Sequence, residues 1–268
     1  MKLRNIIAVP LMAAMLSGCA GSAKNVDLLP NANVESSALA LYSCVDGEVQ
    51  RQFLFDRSQE QEILDTLKKL PVQDIPADSD RLNSLSGDIY ALEIGTGEGD
   101  VSGFWQDGVW IADDGTVYEA SIDFKSFLNN YSWSEKDSGE LDWIPNIHYQ
   151  AKRGGQWNTA YLGKSKANSD NTLDFEIQRV ENSTIYTKIT NNSAEEAGFG
   201  VGFSLDAKLD GEWYSIPAEQ DMVFISIAII LPAGESTEES YDFSGYGTLP
   251  AGEYRIVTDF GTAEFSVD

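Results

Sequence analysis

Apolar and polar side chains alternate with a period of two through much of this chain, and short glycine-bearing turns interrupt the alternation at regular intervals. A period of two sends successive side chains to opposite faces of a strand. Leu39–Val45 and Glu48–Phe55 read as two strands joined by Asp46-Gly47, a dipeptide suited to a two-residue type I′ hairpin turn. The period then lengthens. Ile63, Leu64, Leu67 and Leu70 fall on one helical face, with Ser58 as N-cap, Gln61 completing a capping box and Pro71 ending the helix. Residues 71–87, rich in Pro, Asp and Ser, read as loop.

Strands resume over Ile89–Ile94, followed by a loop over Gly95–Asp100 and two chained hairpins turning at Asp107-Gly108 and through Asp113-Asp114-Gly115. These turns fix a register. Trp105 falls opposite Trp110, and Trp110 opposite Tyr118, which sets three aromatic rings in one row across three strands. Phe104, Ile111 and Val117 form a row on the other face, so at least one face must be covered. Asp123 caps a second helix whose Phe124, Phe127, Leu128 and Tyr131 share a side, and this helix is a natural cover. The expected unit is an α+β domain over residues 38–150. It resembles uncharacterised domains of Gram-positive lipoproteins, a resemblance that brings no activity. Ser132–Lys166, with Trp133, Trp143 and Trp157, shows no period that places it.

From Leu173 onward the reading is wholly β, with strands expected over Leu173–Ile177, Ile185–Ile189, Phe203–Leu209, Trp213–Ile216, Val223–Ile230, Glu238–Phe243, Tyr254–Val257 and Ala263–Val267. About seven short strands with regular turns in ~100 residues suggest a sandwich. Leu249-Pro250-Ala251-Gly252-Glu253-Tyr254 has the form of a tyrosine corner, in which a phenol bonds back to the backbone of the preceding turn. Together with Asn191-Asn192, Leu209-Asp210-Gly211-Glu212-Trp213-Tyr214 and Leu231-Pro232-Ala233-Gly234-Glu235, it resembles the Ig-like domain at the C-terminus of many Gram-positive lipoproteins. The resemblance covers about residues 170–268 of a domain drawn at 151–268. It implies a β-sandwich on a surface-exposed protein, gives Tyr254 a structural role and supplies no catalytic residue. The expected fold class is mainly β with two helices: an α+β domain, then an Ig-like sandwich.

The start of the chain has a different grammar. Lys2 and Arg4 precede an apolar run from Ile6 to Met15 and then Leu16-Ser17-Gly18-Cys19. The order of basic, apolar and small residues is that of a secretory signal. The run falls short of the ~20 apolar residues that a membrane span needs. Its end resembles the lipobox of bacterial lipoproteins, which implies cleavage before Cys19, a lipid on that thiol and a place on the extracytoplasmic face of the cell membrane. Residues 19–37 then read as a flexible tether.

Charge narrows the partners. The 268 residues carry 18 basic and 43 acidic side chains, for a net charge of −25. Without residues 1–18, and so without Lys2 and Arg4, the balance is 16 against 43, or −27. Nucleic acid is excluded as a partner, because phosphate contact needs clustered Lys and Arg. Anionic headgroups would repel the body as well, leaving the lipid on Cys19 as the membrane contact and a protein or glycan of the envelope as partner. With Cys19 lipidated, Cys44 is a lone thiol in a strand, which reads as buried and inert. His148 is the single histidine, too few for a zinc site, and reads as an ordinary strand or loop residue.

Candidate chemistry is sparse. Glu98 and Asp100, with Asp113 and Asp114, are hard oxygen ligands on Gly-rich loops and form the best candidate for a cation site. Their spacing is not the EF-hand ladder, and hairpin turns account for Asp-Gly and Asp-Asp-Gly, so no metal or other cofactor is assigned. The Trp105, Trp110 and Tyr118 row could stack a sugar or a peptide ring, though such rows more often belong to a core. No nucleophile elbow, phosphate loop or triad pattern occurs. The leading expectation is a non-enzymatic, lipid-anchored envelope protein that binds or spaces through its Ig-like domain. One alternative is an inhibitor of extracellular proteases, since bacterial proteinase inhibitors of Ig-like fold have similar turns; Asn191-Asn192 and Asp210-Gly211 would be the presenting turns. A second alternative is an enzyme acting on cell-wall glycan through two carboxylates.

Overall fold

A computed structural model describes residues 23–167, 171–220 and 222–268. Cys19 and the leader before it lie outside the described residues. The chain divides into two compact units: residues up to Gly139 with Ile144–Asn146, and Glu140–Trp143 with Ile147–Asp268.

Among the described residues, the first unit is built on one antiparallel sheet of nine strands, in the order β1-β4-β8-β7-β6-β5-β2-β3-β9. The strands are β1 (Lys24–Asn25), β2 (Leu39–Val45), β3 (Glu48–Leu54), β4 (Pro71–Asp74), β5 (Ile89–Gly95), β6 (Asp100–Gln106), β7 (Val109–Ala112), β8 (Val117–Ala120) and β9 (Asp137–Gly139). The aspartates of the Asp46-Gly47 and Asp107-Gly108 turns have positive φ, as a type I′ turn demands of both central residues. Helices α1 (Arg57–Leu67) and α2 (Phe124–Leu128) contribute Ile63, Leu64, Leu67, Phe124, Phe127 and Leu128 to a core shared with Leu39, Leu54, Leu92 and Trp110.

Several local readings need correction. Asp56 caps α1 rather than Ser58, accepting from the backbone N–H groups of Ser58 at 3.0 Å and Gln59 at 3.3 Å, while the Ser58 hydroxyl donates to the same carboxylate. Hydrogen bonds from the Ser58 hydroxyl and from the Gln59 side chain and backbone hold the Asp56 carboxyl down to about 2. Pro71 does not end the helix; it opens β4 inside the segment read as loop. The tether is also shorter than expected. Lys24 and Asn25 pair with Val72 and Pro71 at the sheet edge, and Leu28 and Leu29 are buried in the core. Two adjacent leucines in a polar stretch gain more by burial than a free linker gains in entropy. The chain then enters β2 under a clamp: buried Glu60 of α1 accepts from the Leu39 N–H at 3.0 Å and from Arg57 Nη1 at 2.9 Å.

The second unit contains a third helix, α3 (His148–Ala151), so His148 opens a helical turn rather than a strand or loop. A small hairpin of β10 (Lys152–Arg153) and β11 (Gln156–Trp157) follows. Next come β12 (Gly163–Lys164), β13 (Asp174–Glu181), β14 (Thr184–Thr190), β15 (Ala197–Phe199), β16 (Ser204–Leu209) and β17 (Glu212–Ser215). Finally come β18 (Ile229–Leu231), β19 (Ser236–Asp242), β20 (Gly252–Val257) and β21 (Thr262–Val267). One sheet runs β12-β17-β16-β20-β21, another β13-β14-β19, and β15 pairs with β18. Rings fill the interior. Phe175 meets Phe260 and Tyr241 edge-on at 4.9 and 6.1 Å, and Tyr254 stacks on Phe265 at 5.7 Å. The chain is mainly β.

Candidate functional site

The aromatic row forms in the expected register, with Trp105 paired to Trp110 and Trp110 to Tyr118. It is not a ligand platform. Trp110 is 0% exposed and Tyr118 9%, while Trp105 is half-buried beneath Phe124, whose ring stacks on it at 5.2 Å. Phe124 is placed there by α2, whose Asp123 side chain accepts from the Ser126 N–H at 3.0 Å. Trp110 also lies over Gly103: a Cβ at that position would sit 1.8 Å from its ring. The row is core because a helix covers it and a glycine makes room for it.

The acidic loops act as turns. Thr96 and Gly99 close the β5–β6 connection through a 2.6 Å backbone bond, and Thr96 Oγ1 accepts from the Glu98 N–H. Asp100 is the first residue of β6. Asp113 accepts from the Ser102 hydroxyl at 2.8 Å. Asp114 accepts from the Thr116 N–H at 2.9 Å, and hydrogen bonding to Thr116 lowers its carboxyl below the usual value. Among the described residues no three His, Cys, Asp or Glu side chains are grouped as a metal would require. Glu98, Asp100, Asp113 and Asp114 therefore do not assemble into a ligand set. Cys44 is buried in β2, and desolvation raises its thiol pKa, the opposite of what a nucleophile needs.

Two polar fixtures organise the second unit. Tyr254 Oη donates to the Pro250 carbonyl at 2.5 Å and accepts from Trp157 Nε1 at 2.9 Å, the geometry of a tyrosine corner with an added brace. Beside it, Arg255 Nε meets Asp206 at 2.7 Å, its Nη2 donates to Ser165 Oγ at 3.0 Å, and its guanidinium lies 4.6 Å from the Trp213 ring. Both charges are buried, so each depends on the other. This pair joins opposed residues of β16 and β20 and was not anticipated from sequence; the one signal is a charged residue in mid-strand between apolar neighbours.

A different surface departs from the expected strand pattern. Residues 223–230 were expected to form a strand, yet only Ile229 and Ile230 enter β18, and residues 223–228 form an exposed connection. Val223 is 89% exposed, Ile225 66% and Ile227 48%. The connection is pinned at both ends. Before it, the Glu219 and Gln220 N–H groups donate to the Gly245 carbonyl, Lys152 pairs with Glu219, and the Met222 side chain lies against Gly245 where a Cβ would fall. After it, Ile229–Leu231 pair with Ala197–Phe199. Between the pins, Phe224 rests edge-on against Phe203 at 5.3 Å, and Ile227 N–H donates to the Ile225 carbonyl at 2.9 Å. A contiguous apolar strip held open in this way is the surface feature most suited to contact with another molecule.

The turn at Asn191 is also built. Buried Asn191 donates through Nδ2 to the carbonyls of Glu195 and Leu231 and accepts from Ser193, which leaves Asn192–Glu196 exposed on a braced loop next to the strip. Asp210-Gly211 is the tight turn between β16 and β17, with both residues at positive φ.

The antiparallel sheets, the ring-filled interior and the corner at Tyr254 define the second unit as a β-sandwich of Ig-like type. Residues 165–268 match the family model described as a bacterial Ig-like domain. No curated protein matches the chain and no solved structure matches it. The match begins at residue 165, just after β12, so α3, the β10–β11 hairpin and β12 precede it. An Ig-like domain suggests a binding or spacer role. No described helix is long and apolar enough to cross a membrane.

Proposed function

We propose that this chain is a lipid-anchored protein of the bacterial cell envelope, held to the extracytoplasmic face of the membrane through Cys19, that binds an envelope partner through its Ig-like domain and catalyses no reaction. The observation that carries the reading is the Ig-like domain over residues 165–268, whose polar fixtures at Tyr254 and Arg255 are committed to holding strands together. The leader ending in Leu16-Ser17-Gly18-Cys19 supports the anchor. Labelling cells with radioactive palmitate should mark the wild-type protein in the membrane fraction and leave Cys19→Ala unmarked. Recovery of the intact chain from cytosol, leader still attached, would overturn the anchor.

A second reading, inhibition of an extracellular protease, is favoured by the braced loop at Asn192–Glu196, since inhibitors present rigid exposed loops. A panel of secreted proteases assayed with the full chain should then show at least one inhibited, with inhibition lost in Asn191→Ala.

A further inference from the structure

We infer that the strip at residues 223–230 docks an extended, uncharged and apolar polypeptide segment with Lys or Arg at one flank. The inference rests on the binding role proposed above and names the partner class. Every residue from Met222 to Pro232 is uncharged in a chain of net charge −25. The side chains of Val223, Ile225, Ile227 and Ile230 stand in solvent. Among the described residues, the N–H and C=O groups of Val223, Phe224 and Ser226 make no hydrogen bond, so an extended segment alongside could bond to them.

One end of the strip sets the charge of what fits. At its far end, Asn191 holds Leu231 and Glu195 together, and the Glu235 N–H donates to the Pro232 carbonyl. Glu195, Glu196 and Glu235 are all exposed there, and none makes an ion pair among the described residues. Glu219, ion-paired with Lys152, lies at the near end. Unpaired acid therefore borders the far end of the strip. A second copy of the chain would bring no unpaired base to these glutamates in either strand direction, and anionic lipid would be repelled by them. A partner with an apolar centre and a basic flank satisfies both the strip and its far border.

The test uses the full chain against a displayed library of random dodecapeptides. Enriched peptides should carry Val, Ile, Tyr or Phe at the centre and Lys or Arg at a flank. Binding of a selected peptide should fall at least tenfold in the double variant Ile225→Asp with Ile227→Asp, and severalfold in Glu195→Gln with Glu235→Gln. The replaced side chains are exposed, so far-UV circular dichroism and thermal unfolding should stay as in the wild type, which separates lost contact from lost fold. Enrichment without a basic flank, binding indifferent to these variants, or no enrichment overturns the inference. So does self-association in sedimentation velocity, or adsorption to phosphatidylglycerol vesicles, that the double variant abolishes. In any of these cases palmitate labelling at Cys19 is unaffected, so the anchor stands or falls separately.

Discussion

Two apolar sets of side chains meet opposite fates in this molecule. The Trp105, Trp110 and Tyr118 row lies mid-sheet, with strands on both sides and the Phe124 ring above it. The Val223–Ile230 strip, chiefly β-branched with one aromatic ring, connects β17 to β18, pinned at its ends and met between them only where Phe224 rests on Phe203. Both sets are apolar; neighbours separate them. Fully burying a large apolar side chain stabilises by roughly 1.5–3 kcal/mol, a gain that the row realises on folding and that the strip can realise only on binding.

Substitutions can break this contrast or sharpen it. The largest effect is expected from Trp110→Ala, which empties a fully buried site and should cost about 4 kcal/mol in urea unfolding. A cost near zero would mean that the row is not core. Arg255→Met leaves Asp206 buried without its partner and should cost about 3 kcal/mol by the same measurement; restoring most of that loss with the double variant Arg255→Met, Asp206→Leu would show that the penalty lies in the stranded charge. Tyr254→Phe removes both bonds of the corner and should cost about 2 kcal/mol.

Asp123→Ala removes the cap that positions Phe124 over the row, at about 1 kcal/mol. Backbone and side-chain bonds from Ser126 hold the Asp123 carboxyl below its usual value. Its contribution is therefore present above the unfolded value of about 4 and disappears as pH falls through the lower folded value. Wild type and variant should converge in stability below that window and differ above it. The smallest effect is expected from Ile225→Ser, within about 0.5 kcal/mol of wild type, because the side chain is already in solvent. A loss of several kcal/mol there would place the strip inside the fold and remove the ground for a docking role.

The register of the aromatic row was legible because Asp107-Gly108 and Asp113-Asp114-Gly115 dictate local geometry, and local geometry propagates along paired strands. The Tyr254 corner was legible for the same reason, its phenol reaching a carbonyl four residues back. What escaped was non-local. An apolar run such as Val223–Ile230 reads as a buried strand, and nothing within it says that only its last residues find a neighbour in β15. The Asp206–Arg255 pair and the Glu60 clamp on Leu39 each join residues far apart in sequence. The cap of α1 differs from the expectation because Ser58 satisfies the box motif while Asp56, two residues earlier, is the residue that accepts from the first free N–H groups, those of Ser58 and Gln59.

The incorporation of Lys24 and Asn25 into the sheet has a consequence for altitude above the bilayer. Lys24 lies five positions after Cys19. At no more than ~3.5 Å per residue, a lipid on Cys19 would keep the rim of that sheet within about 17 Å of the headgroups, where eighteen free residues would have allowed some 60 Å. With Cys19 lipidated as proposed, so short a leash would hold that edge of the sheet in a thin layer along the membrane, where a partner would have to come down to meet it.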